Sequence, residues 1–136
     1  MTEWDYSIYC DGGKKPNQDA YCRYLIQYMD VPLDPVHVDL PEAKTNNQAE
    51  YYALIKALEE LVSMLKHSKD EDLPKRCSVQ VFTDSMLMAN QVNGLWKIND
   101  IELFRLCAET RSLLAEFAKC SIVQIDRSQI QHILGC

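Results

Sequence analysis

The sequence lacks several features that would assign it at once to a common class of protein. None of its apolar runs approaches the ~18 consecutive residues that a membrane span requires. A secretory signal has a basic segment that leads into an apolar run, and the acidic start of this sequence has none. Repeats and low-complexity tracts are also absent. We therefore expect one domain over residues 1–136, monomeric and cytoplasmic, with no membrane partner.

Positive charge is scarce as well. The chain has 14 Lys and Arg against 20 Asp and Glu, and its net charge is -6. This balance argues against a protein that binds nucleic acid through a broad basic patch. It does not exclude nucleic acid as a partner, because a bound divalent metal ion can reverse the charge of a local site.

The cysteines show no metal-binding pattern. None of the six lies in a C-x-x-C pair or near a His at metal-finger spacing, so a zinc site is not expected. Cys136, at the end of the sequence, is the thiol that we expect to oxidise most readily. Four others lie in apolar stretches and are predicted to be reduced and buried: Cys10, Cys22, Cys77 and Cys107.

The first forty residues carry the patterns of strands. Residues 4–10 are rich in aromatic and β-branched side chains and run into Asp-Gly-Gly at 11–13, which predicts a strand followed by a turn. Residues 20–29 and 36–40 are predicted to be the second and third strands, and prolines at 32, 35 and 41 bracket the third. Three such strands can form a meander.

The pattern then changes to that of a helix. Thr45 is followed three residues later by Gln48, as in a helix-capping box. Leucines then recur at helical spacing until the polar, proline-closed stretch at 67–74: Leu54, Leu58, Leu61 and Leu65.

The second half of the chain alternates between strand and helix. We predict a strand over 77–83, a short helix over 86–92, a long amphipathic helix over 103–117, a strand over 121–125 and a helix over 127–134. This order indicates an α/β fold with a mixed sheet and helices on its faces.

Three acidic residues occupy unusual positions. Asp11 and Asp84 each follow a predicted strand, and the carboxyl ends of strands are where ligands gather in open α/β sheets. Glu50 lies on the apolar face of its helix, four residues before Leu54, where an unpaired carboxylate is unfavourable. If the two strands are parallel neighbours, the carboxylates converge, and a hard cation such as Mg²⁺ would relieve their repulsion. Taken singly, each acid is better explained as a turn or cap residue, but all three together fit that explanation poorly.

The segments that carry these acids resemble those of a known family. They are DGG from Asp11, TNNQAEY from Thr45 and TDS from Thr83, together with QVNGLWK from Gln91. In this combination and spacing, residues 8–127 resemble ribonuclease H type 1, in particular its compact bacterial, archaeal and phage-like members.

The resemblance implies a fold and a reaction. The fold is a five-stranded mixed sheet with helices on both faces. The reaction is hydrolysis of the RNA strand of RNA–DNA hybrids with two Mg²⁺ ions, for which Mn²⁺ can substitute, giving 5′-phosphate and 3′-hydroxyl ends. By position, Asp11 would bridge both ions, and Glu50 and Asp84 would hold the ion on the leaving-group side.

The resemblance also implies contacts with the hybrid. All of the expected contact residues except the lysine have an alternative role: the glycines in a turn with positive φ, the asparagines and the serine as helix caps, and the tryptophan in the core. The expected contact residues are Gly12, Gly13, Asn46, Asn47, Ser85, Trp96 and Lys97.

The sequence departs from the family pattern at one acid. The fourth family carboxylate would lie seven residues after Arg127, where this chain has Leu134. His132 is a candidate replacement in catalysis, or an exposed polar residue. We expect one ion to be held weakly, with Mn²⁺ preferred and activity reduced. Two alternatives stay open: a catalytically weak or inactive module that binds nucleic acid or a partner protein, and another metal nuclease on the same fold.

Overall fold

A six-stranded mixed sheet forms the centre of the protein. The computed structural model describes residues 4–68 and 70–135. The long strands lie in the order β4-β2-β1-β5-β6, and the two-residue β3 also pairs with β2. Pairing is antiparallel from β1 to β2 and from β2 to β4, and parallel from β1 to β5 and from β5 to β6. The strands are β1 Tyr6–Gly13, β2 Ala20–Tyr28, β3 Val31–Pro32, β4 Val36–Leu40, β5 Ser78–Thr83 and β6 Lys119–Gln124.

Helices cover both faces of the sheet. The long helix α1 lies against β1 and β2, and α3 packs behind it, so that their apolar sides enclose the main core. On the other face α4 buries Ile130 and Leu134 against Leu25 of β2. The helices are α1 Asn46–Lys66, α2 Met86–Val92, α3 Ile101–Leu114 and α4 Arg127–Leu134, with a 3₁₀ turn at Leu73–Arg76.

The predicted architecture is confirmed: a mixed α/β sheet with five long strands, a meander of three strands at its start, and helices on both faces. The capping role of Thr45 is confirmed too, because its hydroxyl accepts the backbone N–H of Gln48. The four thiols predicted to be buried are buried and form no disulfide, whereas Cys136 lies outside the described residues. Within the described ranges, no helix has the length and apolarity to cross a membrane.

Three details of the prediction are wrong. The Asp-Gly-Gly segment is not a turn, because β1 continues through Gly13 and pairs Gly12 with Cys22 of β2. The amphipathic helix α3 ends at Leu114, before residue 117. The last strand begins two residues earlier than expected, since Lys119 pairs with Ser78 of β5.

Candidate active site

Parallel pairing of β1 with β5 brings the two aspartates together. Cys10 of β1 pairs with Thr83 of β5, so Asp11 and Asp84 follow equivalent positions on adjacent strands. In β5, buried residues alternate with partly buried ones, and in β1 Ile8 and Cys10 lie in the main core, which fixes the register of both strands against it. The proximity of Asp11 and Asp84 is therefore a consequence of strand register, as the sequence predicted.

Glu50 reaches this point because α1 begins in contact with β1. A Cβ atom added to Gly12 would lie 2.6 Å from the backbone nitrogen of Glu50 and closer still to the carbonyl of Ala49. Only a residue without a side chain permits this approach. Gly12 therefore sets the position of Glu50, and it does so in strand geometry rather than with positive φ.

The three carboxyl groups form one compact, largely buried cluster. One oxygen from each of Asp11, Glu50 and Asp84 lies within 4.8 Å of the others. Burial, together with the charges of Asp84 and Asp11, raises the pKa of Glu50 to about 9. Burial and then Asp11 also raise the pKa of Asp84. Without a cation, the cluster therefore retains a proton on Glu50 at neutral pH.

Two arginines lie near the cluster and act on different carboxyl groups. Arg23 Nη2 lies 2.5 Å from Asp11 Oδ2, in an ion pair whose side chains are 18% and 4% exposed. Arg127, at the start of α4, lowers the pKa of both Glu50 and Asp84 and thereby opposes part of their upward shift. The remaining shift of Glu50 shows that Arg127 does not neutralise the cluster.

The cluster fits a divalent metal ion. Two of its buried oxygens, Glu50 Oε2 and Asp84 Oδ1, have no hydrogen-bond partner among the described residues. Buried polar atoms are nearly always satisfied, so unpaired carboxylate oxygens that converge on one point favour a bound cation. Carboxylates are the ligands preferred by Mg²⁺ and Mn²⁺.

Of the residues expected to contact a hybrid, those at the starts of α1 and α2 lie close in sequence to Glu50 and Asp84 of the cluster. Ser85 caps α2, accepting the N–H of Met88. The side chain of Asn46 accepts the backbone N–H of Lys14, 2.5 Å away, and so joins the β1–β2 loop to α1. Asn47 is exposed. Thr45, rather than either asparagine, accepts the hydrogen bond at the α1 N-cap.

Gly13 has a different neighbour from Gly12. A Cβ atom there would lie 2.9 Å from the hydroxyl of Tyr21, a side chain rather than a backbone. Gly13 is also in strand geometry, without positive φ. The turn role considered for both glycines is therefore wrong, whereas close approach of RNA to them stays a prediction.

The loop after α2 is exposed. Trp96 is 45% exposed, and Lys97 beside it is also exposed. The alternative that Trp96 packs in the core is therefore wrong. Contacts of Trp96 and Lys97 with a DNA strand stay predictions.

The C-terminal helix brings no further acid to the cluster. His132 is exposed and is not among the three groups that converge within 4.8 Å. Leu134, at the position of the expected fourth acid, is 7% exposed and packs with Leu25 and Ile130. A catalytic role for His132 stays a prediction.

Arg23 is the site residue that sequence reasoning missed. It is a single charge within the apolar strand between Cys22 and Tyr24, and a charge in such a place is unfavourable unless it is paired. This isolated charge in an apolar strand could have identified Arg23 as a candidate site residue. Its partner could not be read from the pattern, because the pairing of Arg23 with Asp11 depends on the β1–β2 register.

Comparison with known proteins assigns the family. The RNase H family model matches residues 3–134. The chain therefore belongs to the RNase H family.

Its relatives include archaeal members. Ribonuclease HI of Halobacterium salinarum is 37% identical over 84 residues, which are 62% of this chain and 37% of that protein. The crystal structure of RNase H1 from the same archaeon has a TM-score of 0.79 at 29% identity, covering 93% of this chain and 89% of that one. LC11-RNase H1, solved in complex with RNA/DNA hybrid, has a TM-score of 0.79 at 28% identity, with coverage of 93% and 89%. The sequence match thus spans little more than a third of the archaeal ribonuclease HI.

Proposed function

We propose that this protein is a metal-dependent ribonuclease that hydrolyses the RNA strand of RNA–DNA hybrids, leaving 5′-phosphate and 3′-hydroxyl ends. The observation that carries the proposal is the convergence of Asp11, Glu50 and Asp84 within 4.8 Å. The similarity to LC11-RNase H1, which was solved with a hybrid, supports the choice of substrate.

Each site residue has a role in this proposal. The three carboxylates would hold Mg²⁺, for which Mn²⁺ can substitute, and two ions are predicted. When bound, the metal activates a water molecule and stabilises the departing oxygen. Asn46 and Asn47 would read the 2′-hydroxyl that distinguishes RNA from DNA. Lys14 and the neighbouring exposed Lys15 would offer positive charge to the phosphates, which the acidic chain otherwise lacks.

The test is cleavage of a labelled RNA strand in a hybrid, at low salt, with Mg²⁺ and then Mn²⁺. Single-stranded RNA and duplex DNA serve as control substrates, and cutting of duplex DNA would favour another metal nuclease instead. Asp84→Asn is expected to abolish cleavage and to preserve the far-UV circular dichroism spectrum. Asp30→Asn is the matched control, because Asp30 is exposed and follows the end of β2 that pairs with the start of β1, away from Asp11.

A second candidate is a weakly active or inactive module that binds hybrids without cutting them. Leu134 in place of a fourth acid favours it. Folded wild-type protein that binds the hybrid and cuts it with neither metal would support this candidate over the ribonuclease, and cleavage retained by Asp84→Asn would remove the proposed metal site. The monomeric state and the cytoplasmic location stay predictions from the sequence.

A further inference from the structure

The short helix α2 connects the candidate metal site to the exposed loop at residues 95–97. It begins two residues after Asp84 and has only seven residues, Met86–Val92. A helix of this length is not stable on its own in water, so contacts with the rest of the fold have to hold it. The direction in which the chain leaves α2 therefore depends on how the carboxyl end of the helix is fixed.

The carboxyl end of α2 closes with a glycine turn. Gly94 has a φ of 77°, a left-handed conformation that glycine adopts without strain. Its N–H donates to Gln91 O, and the N–H groups of Leu95 and Trp96 donate to Asn90 O. Helices commonly end with this pattern of hydrogen bonds, which here turns the chain into the exposed loop.

Arg111 of α3 holds the same end of α2. Its Nη2 lies 2.7 Å from Gln91 O and its Nε lies 3.2 Å from Val92 O, so one guanidinium donates to two of the last carbonyls of the helix. A Cβ atom on Gly94 would lie 3.7 Å from Arg111 Nη2, which places the guanidinium against the turn. The end of α2, the glycine turn and α3 are thereby joined.

The side chain of Gln91 ties α2 to α1. The hydroxyl of Tyr51 donates to Gln91 Oε1 at 2.8 Å, and the two residues are 0% and 4% exposed. A buried hydrogen bond of this kind favours a single arrangement of the elements that it joins. Because Tyr51 directly follows Glu50, the end of α2 has a defined position relative to the carboxylate cluster.

The surroundings of Arg111 favour an indirect role in binding a hybrid. Arg111 lines a cavity with residues in and next to α2, α3 and β6, and none of the described residues around this cavity is expected to contact a hybrid. Trp96 and Lys97, by contrast, are exposed in the loop that follows the turn. A loop that is already ordered binds more tightly than a mobile one, because binding does not have to order it.

We propose that Arg111 is a positioning residue for hybrid binding, which fixes the loop that carries Trp96 and Lys97 and touches neither the hybrid nor the metal. The inference rests on the proposed function in taking an RNA–DNA hybrid as the ligand and these two residues as contacts to its DNA strand. Arg111 then changes how tightly the hybrid is bound and leaves the chemical step unaltered.

The first measurement separates KM from kcat in Mg²⁺-dependent cleavage. Arg111→Met removes both hydrogen bonds and is expected to raise KM about tenfold, with kcat within about twofold of wild type. Arg111→Lys keeps the charge but lacks the forked donor, so its KM should lie about threefold above wild type. Arg105→Met is the matched control and should leave KM unchanged, because Arg105 is an exposed arginine of α3 that bonds Glu102 rather than the end of α2.

Loss of folded protein gives the opposite kinetic pattern. An unfolded fraction lowers the apparent kcat and leaves KM unaltered, so a variant that is only destabilised is recognised by its kinetics. If Arg111→Met does not fold, Arg111→Lys carries the same comparison. An unchanged KM in the folded variant, or a loss confined to kcat, would overturn the inference.

A double-mutant cycle tests whether Arg111 acts through the loop. Hybrid binding is measured by fluorescence anisotropy in EDTA, where metal-dependent cleavage does not occur, for wild type, R111M, W96A/K97A and the triple variant. Adding R111M to W96A/K97A should weaken binding by less than about twofold, because the loop contacts are already lost. A further tenfold loss would mean that Arg111 contacts the hybrid itself, and wild-type affinity in W96A/K97A would mean that the loop is no contact. Either result contradicts the proposal.

The outcomes separate this inference from the proposed function. Wild type that binds the hybrid and cuts it with neither metal removes the ribonuclease function, and the anisotropy cycle still decides the role of Arg111. Wild type that binds no hybrid removes both proposals. Metal-dependent cleavage in which R111M raises KM, together with non-additive binding in the cycle, supports both.

Discussion

The ionisation of Glu50 should make the metal-free protein less stable as pH rises. Burial and the neighbouring carboxyl groups raise the pKa of Glu50 from its ordinary value of 4.5 to about 9. The folded protein therefore keeps a proton on Glu50 over a pH range in which the unfolded chain has lost it. Because the unfolded state binds fewer protons in this range, the free energy of unfolding falls with increasing pH.

The size of the effect follows from the shift. Between pH 4.5 and about 9, the loss approaches ~1.4 kcal/mol per pH unit. At pH 7 the accumulated loss is about 3 kcal/mol, a large part of the 5–15 kcal/mol typical of a folded domain. Glu50→Gln removes the titration and keeps the shape and neutrality of the protonated side chain. The variant should match wild type near pH 4.5 and exceed it by about 3 kcal/mol at pH 7.

Urea unfolding of both proteins in EDTA, at half-unit steps from pH 4.5 to 8, measures this difference. Other titrating groups contribute equally to both proteins, so the difference between the two unfolding free energies isolates Glu50. Mg²⁺ should reverse the trend for wild type alone, because the ion binds the ionised carboxylate and stabilises the folded state by mass action. A difference that does not change with pH would refute the reasoning, because it would mean that Glu50 is already ionised in the folded protein.

Three further predictions concern the backbone around the site and the hybrid. Gly12→Ala should lower the free energy of unfolding in urea by about 1–3 kcal/mol and weaken Mn²⁺ binding, because α1 has to move. Gly13→Ala should have a smaller effect on both quantities, because its added methyl group contacts only a side chain. Thr45→Ala should lose about 1 kcal/mol by removing the α1 cap, and Thr45→Ser should restore it. Lys15→Ala should reduce the salt dependence of hybrid binding by about one unit of slope, whereas Lys75→Ala, which lies outside the proposed interface, should leave it unchanged.

Most elements and the convergence of the three acids could be predicted from the sequence. Strand alternation places Asp11 and Asp84 after two buried strands, and helical spacing places Glu50 on the core side of α1. These patterns persist over many residues and reflect burial directly. The two aspartates then meet if β1 and β5 are parallel neighbours, which the structure confirms.

The sequence could not predict the features that depend on pairing with a distant strand. The DGG segment matches the composition of a turn, and it becomes strand because β2 supplies partners to Gly12 and Gly13. The contact between Arg23 and Asp11 likewise depends on the number of residues in the β1–β2 loop, since a shift of one residue would move Arg23 to the other face. Local propensity carries no information on either point.

Gly12 links the architecture of the site to its chemistry. The absence of a side chain there lets α1 approach β1 so closely that Glu50 lies at the carboxyl ends of β1 and β5, beside the two aspartates. The same approach buries Glu50 and raises its pKa, so the folded protein without metal carries a destabilising cluster at neutral pH. A bound cation relieves that repulsion, and Arg23 relieves part of it permanently at Asp11. Metal affinity in this protein should therefore depend on backbone packing at Gly12 as well as on the carboxylates themselves.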